Sequence, residues 1–268
     1  PIFAVGGTQL FMGQPSPAAI LDAIDSMQAT TIFVPPTLCY MMLEDDRIND
    51  IDLSSLRHFI IGGATIRPDV VARAMPIFNH AMETCFGQTE VPQIAICMRS
   101  KDWQDPANHA STGRATCMTD IGIMDPTGTL LPAGEEGELV LAGDLVMKGY
   151  YNKPEETAAA IDKEGWMHTG DTALIRPDGH IRFIGRFKDM LKVGGIWVSP
   201  VEVESTLIAH AAVLECAVVG ATDGSDLVKP KAFVVLQEGQ PANDDMTADL
   251  ITHCVENMAA YKRPRWIE

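Results

Sequence analysis

Residues 185–204 read GRFKDMLKVGGIWVSPVEVE. Arg186, Lys188 and Lys192 crowd around Asp189, and Gly194-Gly195 follow. Ser199-Pro200-Val201-Glu202 then has the form of a helix start, a capping hydroxyl with a carboxylate three residues on. Before this stretch, short strands alternate with turns. After it, the pattern resets to a helix, two strands and a second helix. A domain boundary is therefore predicted between residues 187 and 188. Charge runs are ordinarily solvated linkers. This one lies at a boundary and leads into paired glycines, which sets it apart.

The 268 residues suffice for a small number of compact units, and their apolar fraction of 46% is ordinary for a chain with a real core. The formal net charge of -16 argues against nucleic acid as a sequence-independent partner, because phosphate binding needs a cationic face. A small polyphosphate remains possible wherever a few cations cluster. Cys39, Cys85, Cys97, Cys117, Cys216 and Cys254 are dispersed with no CxxC spacing, so neither a zinc site nor a thioredoxin-like site is indicated. They are expected to be buried small apolar residues in a reducing, cytoplasmic setting. No apolar run is long enough to span a bilayer, and no cationic leader precedes an apolar segment. The chain opens at Pro1, within IFAV residues that read as a strand, and has no initiator Met. It reads as a fragment.

Along residues 1–112 the signals alternate between strand and helix. Ser16-Pro17 reads as an N-cap with proline at the first helical position, and Ile20, Ile24 and Met27 recur at helical spacing. Thr30 to Val34 reads as a strand stopped by Pro35-Pro36. Leu56 to Ile61 reads as a strand ending on Gly62-Gly63, Pro68 as the start of a helix, and Met82 to Phe86 as a strand ending on Gly87. This βαβ alternation predicts an α/β domain with a mainly parallel sheet. Residues 113–187 predict a small antiparallel, barrel-like subdomain, with turns at Asp125-Pro126-Thr127-Gly128 and Pro177-Asp178-Gly179. Residues 188–268 predict a small α+β domain.

Three clusters carry chemistry. Gly62-Gly63-Ala64 and Phe86-Gly87 lie at the carboxyl ends of consecutive strands, where ligands bind in open α/β sheets. Glycine there admits a flat ring close to the backbone, and Phe86 can stack on one. Thr89 offers a hydroxyl for a phosphate oxygen, and Glu90 a carboxylate for a hard cation such as Mg2+. A glycine after a strand is also commonly just a turn. In Trp166-Met167-His168-Thr169-Gly170-Asp171, the Asp171 carboxylate can accept both hydroxyls of a ribose diol, or simply cap its turn. His168 has no nucleophile to serve and reads as a structural imidazole. In the opening stretch, the Arg186 guanidinium is a planar fork suited to ribose or phosphate oxygens.

Together, in this order, the clusters resemble the adenylate-forming, AMP-binding enzymes: acyl- and aryl-CoA synthetases, luciferases and peptide-synthetase adenylation domains. FGQTE resembles their Tyr-Gly-x-Thr-Glu motif, GWMHTGD their Trp-x-x-Thr-Gly-Asp motif, and GHIRFIGRFKDMLKVGGIWVSPVEVE their hinge motif. LVKPKAFVVL and YKRPRWIE resemble benzoate-CoA ligases. The resemblance covers nearly the whole chain. It implies a two-step ligase that joins a carboxylic acid, aromatic or medium/long-chain aliphatic, to CoA through an acyl-adenylate at the expense of ATP. By position it implies Thr89 at the α-phosphate, Glu90 at Mg2+, and Asp171 with Arg186 at the ribose. Gly62, Gly63, Ala64, Phe86 and Gly87 would border adenine and the acyl group, and Lys188 would be the hinge. Lys192, Gly194 and Gly195 would act in the thioester step.

Two family segments are absent, a Ser/Thr/Gly-rich phosphate loop ending in Lys and a Pro-Lys-Thr-x-x-Gly-Lys segment. The resemblance thus implies a chain cut at both ends, with little adenylating activity of its own and apolar surface open to self-association. A non-catalytic nucleotide-binding scaffold and a peptide-synthetase adenylation domain remain alternatives. A dinucleotide-dependent dehydrogenase fits worse, since no GxGxxG opens a helix after a strand.

Overall fold

A computed structural model describes residues 2–92, 94–222 and 227–268. The chain divides into two compact units, Pro1–Asp120 with Gly143–Lys148, and Ile121–Ala142 with Gly149–Glu268.

The first unit is built on a five-stranded sheet in the order β1-β2-β3-β4-β5: β1 (Thr31–Val34), β2 (His58–Ile61), β3 (Met82–Phe86), β4 (Ile96–Met98) and β5 (Arg114–Ala115). The first three strands are parallel, as their helical crossovers require, while β4 and β5 join antiparallel. The mainly parallel sheet read from the sequence is therefore mixed. The short return after Phe86 leaves no room for a crossover helix. Helix α1 (Pro17–Met27) starts as its sequence predicts, with Ser16 Oγ accepting from the Ala19 amide at 3.2 Å. Ile20, Leu21 and Ile24 are buried, but Met27 is 59% exposed. The buried stripe includes Leu21, and Met27 falls outside it in the last turn. Pro35-Pro36 does more than stop β1. Pro36 takes the first position of α2 (Pro36–Leu43), where a missing amide costs nothing. Helix α3 (Pro68–Ile77) buries Val71, Ala74 and Met75.

These helices share one core with one face of the sheet. Phe59 of β2 and Phe78, just after α3, are fully buried, and their rings stack at 4.2 Å with an interplanar angle of 8°. The alternate residues of the same strands face the other side and are not buried, among them Phe33, which is 60% exposed. After β4 come α4 (Ser100–Trp103) and Gly113, whose φ is 115°. A Cβ on Gly113 would fall inside the backbone of Cys97 and Met98. The IFAV segment is a 3-10 turn over Phe3–Val5, not a strand. No strand pairs with it among the described residues, and local bonds to Ile2 and Phe3 carbonyls hold it instead. Pro1 itself lies outside the described residues.

In the second unit, β6 (Asp120–Met124), β7 (Glu136–Ala142), β8 (Met167–Ile175) and β9 (Ile181–Arg186) form a sheet in sequence order. The antiparallel strands were expected in barrel form. The sheet is open, with β6 and β9 at its edges, because its strands lie side by side in chain order and no pairing joins β6 to β9 among the described residues. Both predicted turns are present. Asp125 Oδ1 accepts from the Thr127 and Thr129 amides at 2.8 and 2.9 Å, and Gly179 turns the β8–β9 hairpin at φ 84°. Helix α5 (Pro154–Ala160) lies between β7 and β8 in the chain. A hairpin of β10 (Leu191–Val193) and β11 (Ile196–Val198) leads to α6 (Pro200–Ile208). A second, three-stranded sheet of β12 (Val213–Thr222), β13 (Val228–Leu236) and β14 (Trp266–Ile267) then packs with α6 and α7 (Asp244–Asn257). Ser199 caps α6 through the Glu202 amide at 3.4 Å, and its hydroxyl also donates to the Ile184 carbonyl at 2.7 Å. The Glu202 carboxylate turns instead to Lys262 Nζ at 2.5 Å.

The six cysteines do not share one environment. Cys39 and Cys254 are buried, Cys85, Cys97 and Cys216 are half-buried, and Cys117 is exposed. No helix among the described residues is long and apolar enough to cross a membrane.

The stacked pair makes the first core testable. Phe78→Ala is expected to cost about 3–5 kcal/mol in urea-induced unfolding, while Met27→Ala changes it by less than about 0.5 kcal/mol. Equal costs would show that Phe78 does not anchor this core.

Candidate functional site

In the first unit, Gly62 and Phe86 end adjacent parallel strands. The Gly62 amide donates to the Val34 carbonyl at 3.2 Å, extending the β1–β2 ladder by one residue. A Cβ on Gly62 would lie 2.8 Å from the Phe33 ring, so the absent side chain is what lets that ring lie across the strand end. Gly63 then leaves the strand at φ 90°, and Gly63 and Ala64 are exposed. Beyond Phe86, the amides and carbonyls of Gln88 and Val91 exchange bonds of 3.1 Å, folding Phe86 to Val91 into a tight turn. The Ala95 amide bonds the Phe86 carbonyl at 2.9 Å, and the Met147 amide bonds the Glu90 carbonyl at 2.7 Å. The turn is thus held at both ends by backbone. Gly87 and Thr89 are exposed on it, and Phe86 and Glu90 are half-buried.

In the second unit, Asp171 and Arg186 are direct register partners on β8 and β9. Arg186 Nε lies 3.3 Å from Asp171 Oδ1. The Asp171 residue is only 7% exposed, whereas the Arg186 side chain lies largely in solvent. A carboxylate this enclosed is stabilised by a cation and hydrogen bonds, and a planar guanidinium fork supplies both. The preceding residues are held by a side chain that sequence reasoning missed. Glu138 of β7 accepts from the Gly170 amide at 3.0 Å with one oxygen and meets His168 Nδ1 at 2.8 Å with the other. Thr169 Oγ1 donates to the Leu139 carbonyl at 2.7 Å and accepts from the Asp171 amide at 3.1 Å. His168 is therefore a structural imidazole held by a carboxylate. Nothing in GELVLA marks Glu138, because a carboxylate in an alternating strand ordinarily faces water.

Lys188 lies in the 3-10 turn Phe187–Asp189 and is exposed. Lys192 pairs in register with Trp197 across the β10–β11 hairpin, and its Nζ lies 5.6 Å from the Trp197 ring centroid. Gly194 and Gly195 form the tip at φ 57° and 88°, a two-residue mirror turn in which both positions need positive φ. Phe187 packs on the same Trp197 at 5.9 Å. The structure thus brings Asp171 to Arg186, and Lys192 to an aromatic ring that the sequence did not single out. Among the described residues, no group of three His, Cys, Asp or Glu could hold a metal ion. On the Phe86 to Val91 turn, Glu90 offers one carboxylate. That fits a Mg2+ ion held by one carboxylate, water and substrate phosphates, not a protein-only cage.

The Glu138 clamp predicts a measurable dependence. Glu138→Ala should lower stability by roughly 1–3 kcal/mol, since it strands a backbone amide and an imidazole. Glu138→Gln, which keeps an acceptor, should recover part of that loss. Urea titration of both variants checks it, and two unchanged midpoints would remove the clamp.

The AMP-binding enzyme family matches residues 1–151, and its C-terminal domain matches residues 202–268. A benzoate-CoA ligase from Thauera aromatica is 38% identical over 99% of this chain and 50% of its own length. A feruloyl-CoA synthase from an Amycolatopsis species is 33% identical over 100% of this chain and 53% of its own. An amide bond synthetase from Marinactinospora thermotolerans superposes with a TM-score of 0.90 at 29% identity, over 99% of this chain and 54% of that one. The chain thus spans about half the length of the curated relatives it matches. With its two matched segments and with clusters at the strand ends, the β8–β9 ladder and the glycine hairpin, the chain belongs to the AMP-binding enzyme family.

Proposed function

We propose that this chain carries nucleotide- and acceptor-handling residues of an AMP-forming acid-CoA ligase. The observation that carries the reading is the enclosed Asp171 carboxylate laddered to Arg186 in a chain of the AMP-binding family. In the proposed reaction, a carboxylate oxygen attacks the α-phosphorus of ATP and pyrophosphate leaves. The CoA thiol then attacks the acyl carbonyl and AMP leaves. Asp171 accepts from the ribose hydroxyls, with Arg186 beside it. The Thr89 hydroxyl donates to an α-phosphate oxygen. Gly62, Gly63, Ala64, Phe86 and Gly87 give a ring access to the strand ends. Glu90 is the Mg2+ ligand, and the ion, when bound, neutralises phosphate charge. Most of the rate would come from positioning and charge neutralisation.

Lys188 is proposed as the hinge between a 113–187 subdomain and a 188–268 domain. Lys192 with Gly194 and Gly195 serves the thioester step. Two relatives named for aromatic acids support an aromatic substrate, with a medium/long-chain aliphatic acid as the alternative. The likeness to an amide bond synthetase makes an amine the alternative acceptor to CoA. A cytoplasmic setting is proposed as well.

Calorimetry of AMP with the 268-residue chain tests the nucleotide reading. Binding should weaken on the order of tenfold or more in Asp171→Ala, as expected for losing a hydrogen-bonded charge. No AMP binding by the unaltered chain would overturn it. Pyrophosphate exchange by the same chain is expected near background, and exchange well above it would show that this chain adenylates by itself. If it does, products formed with benzoate, ferulate and fatty acids, in the presence of CoA or an amine, separate the substrate and acceptor readings.

Self-association is proposed too, supported by Phe3, Val5 and Phe11, which are 70, 85 and 88% exposed. A monomer by light scattering at high concentration would count against it.

A further inference from the structure

Cys85 on β3 and Cys97 on β4 are register partners in an antiparallel pair. Two bonds from neighbouring ladders define which kind of pair they make. The Phe59 amide bonds the Ala81 carbonyl, so residues 81, 83 and 85 direct their amides and carbonyls toward β2. The Thr116 amide bonds the Ala95 carbonyl, so that carbonyl faces β5 although the Ala95 amide turns to Phe86, and alternation along β4 then directs the amide and carbonyl of residue 97 toward β5. Neither cysteine spends its backbone on the other. They form a non-hydrogen-bonded pair, in which the Cα atoms stand about 4.5 Å apart and the side chains are closest. A disulfide needs Cα atoms roughly 4.4–6.8 Å apart, so the backbone already meets that condition.

Both thiols lie on the sheet face that also carries Phe33 and Ile60, opposite the helical core. Both are free and half-buried. A Cβ built on Gly62 would stand 3.4 Å from Cys85 Sγ, which places that sulfur beside the glycine strand end. Burial, and then the Glu83 carboxylate, push the Cys85 thiol up. Cys97 is raised by burial first, then by Glu83, Cys85 and Asp102, with Arg99 opposing. These surroundings keep the pair as thiols until an oxidant is present.

We propose that Cys85 and Cys97 are a redox-modification site, a dithiol that a low-molecular-weight disulfide such as oxidised glutathione converts to a cross-strand disulfide. One thiol loses its proton, and the thiolate attacks a sulfur of the oxidant. The oxidant's S–S bond breaks, and one small thiolate departs and takes up a proton. The second protein thiolate then attacks the protein sulfur of the mixed disulfide, forming the Cys85–Cys97 bond and releasing the second small thiol. Two protein thiols are oxidised and one small disulfide is reduced to two thiols. The new bond ties together the two strands that flank Thr89 and Glu90. It depends on strand register alone and stands whether or not the chain binds a nucleotide.

The folded 268-residue chain is incubated with oxidised glutathione, alkylated, digested without reduction and mapped by mass spectrometry. The expected product is a peptide pair linked through residues 85 and 97, with two hydrogens lost from the intact mass and full reversal by dithiothreitol. The link should exceed glutathione adducts at these two residues on the order of tenfold, because the second thiol acts at high effective concentration. Cys117→Ser should leave the link intact, while Cys85→Ser and Cys97→Ser should each trap an adduct on the remaining partner. Stable adducts at Cys85 or Cys97 of the unaltered chain without the link would overturn the proposal. So would no reaction at either residue, or a link that forms only in urea.

Discussion

A strand sends successive side chains to opposite faces, and the structure depends on that period of two. In the first unit it sorts Val34, Phe59, Ile61 and Met82 toward the helices and leaves Phe33, Ile60 and Cys85 on the other side. A slip of one residue in β2 would drive Phe59 out and Ile60 in, and the stack with Phe78 would be lost. The same rule in the second unit sets Asp171 against Arg186, because the β8–β9 register makes them opposite one another on one face. Burying one face thus also settles where the polar and glycine-rich strand ends emerge.

That rule explains what could be read in advance. Met82–Phe86 was legible to the residue, since it is short and bounded by turn residues on both sides. The Ser16 and Ser199 caps were legible because the signal is local, a hydroxyl before a proline. Helix α2 was not, because Pro35-Pro36 stops a strand and starts a helix with the same two residues. The directions of β4 and β5 were not legible either, since pairing direction depends on connection length and on partners distant in sequence. Of the candidate site, the chemistry-bearing residues could be singled out. The residues that hold them could not. Glu138 and the Met147 amide act from other strands and loops, and Trp197 meets Lys192 only through hairpin register.

Electrostatics follows the same division between local and distant. With a net charge of -16, cations are scarce, and three of them have specific neighbours. Arg186 engages Asp171, Lys262 engages Glu202, and Lys192 lies over an indole ring. In that contact the ammonium faces a π ring in place of a carboxylate, so its charge stays on the hairpin. The crowded cations of residues 186–192 are therefore distributed among separate tasks, one fixed in a ladder and one held on a ring.

Gly113 leads to a different kind of conclusion. Its φ of 115° and the Cys97 and Met98 backbone occupying the space of a Cβ exclude every other amino acid there. The position has no part in the proposed chemistry. Among descendants of this sequence it would stay glycine while its neighbours drifted, and a reader ranking positions by constancy would place it beside Asp171. Such constancy would record a steric veto, and it would carry no information about what the protein does.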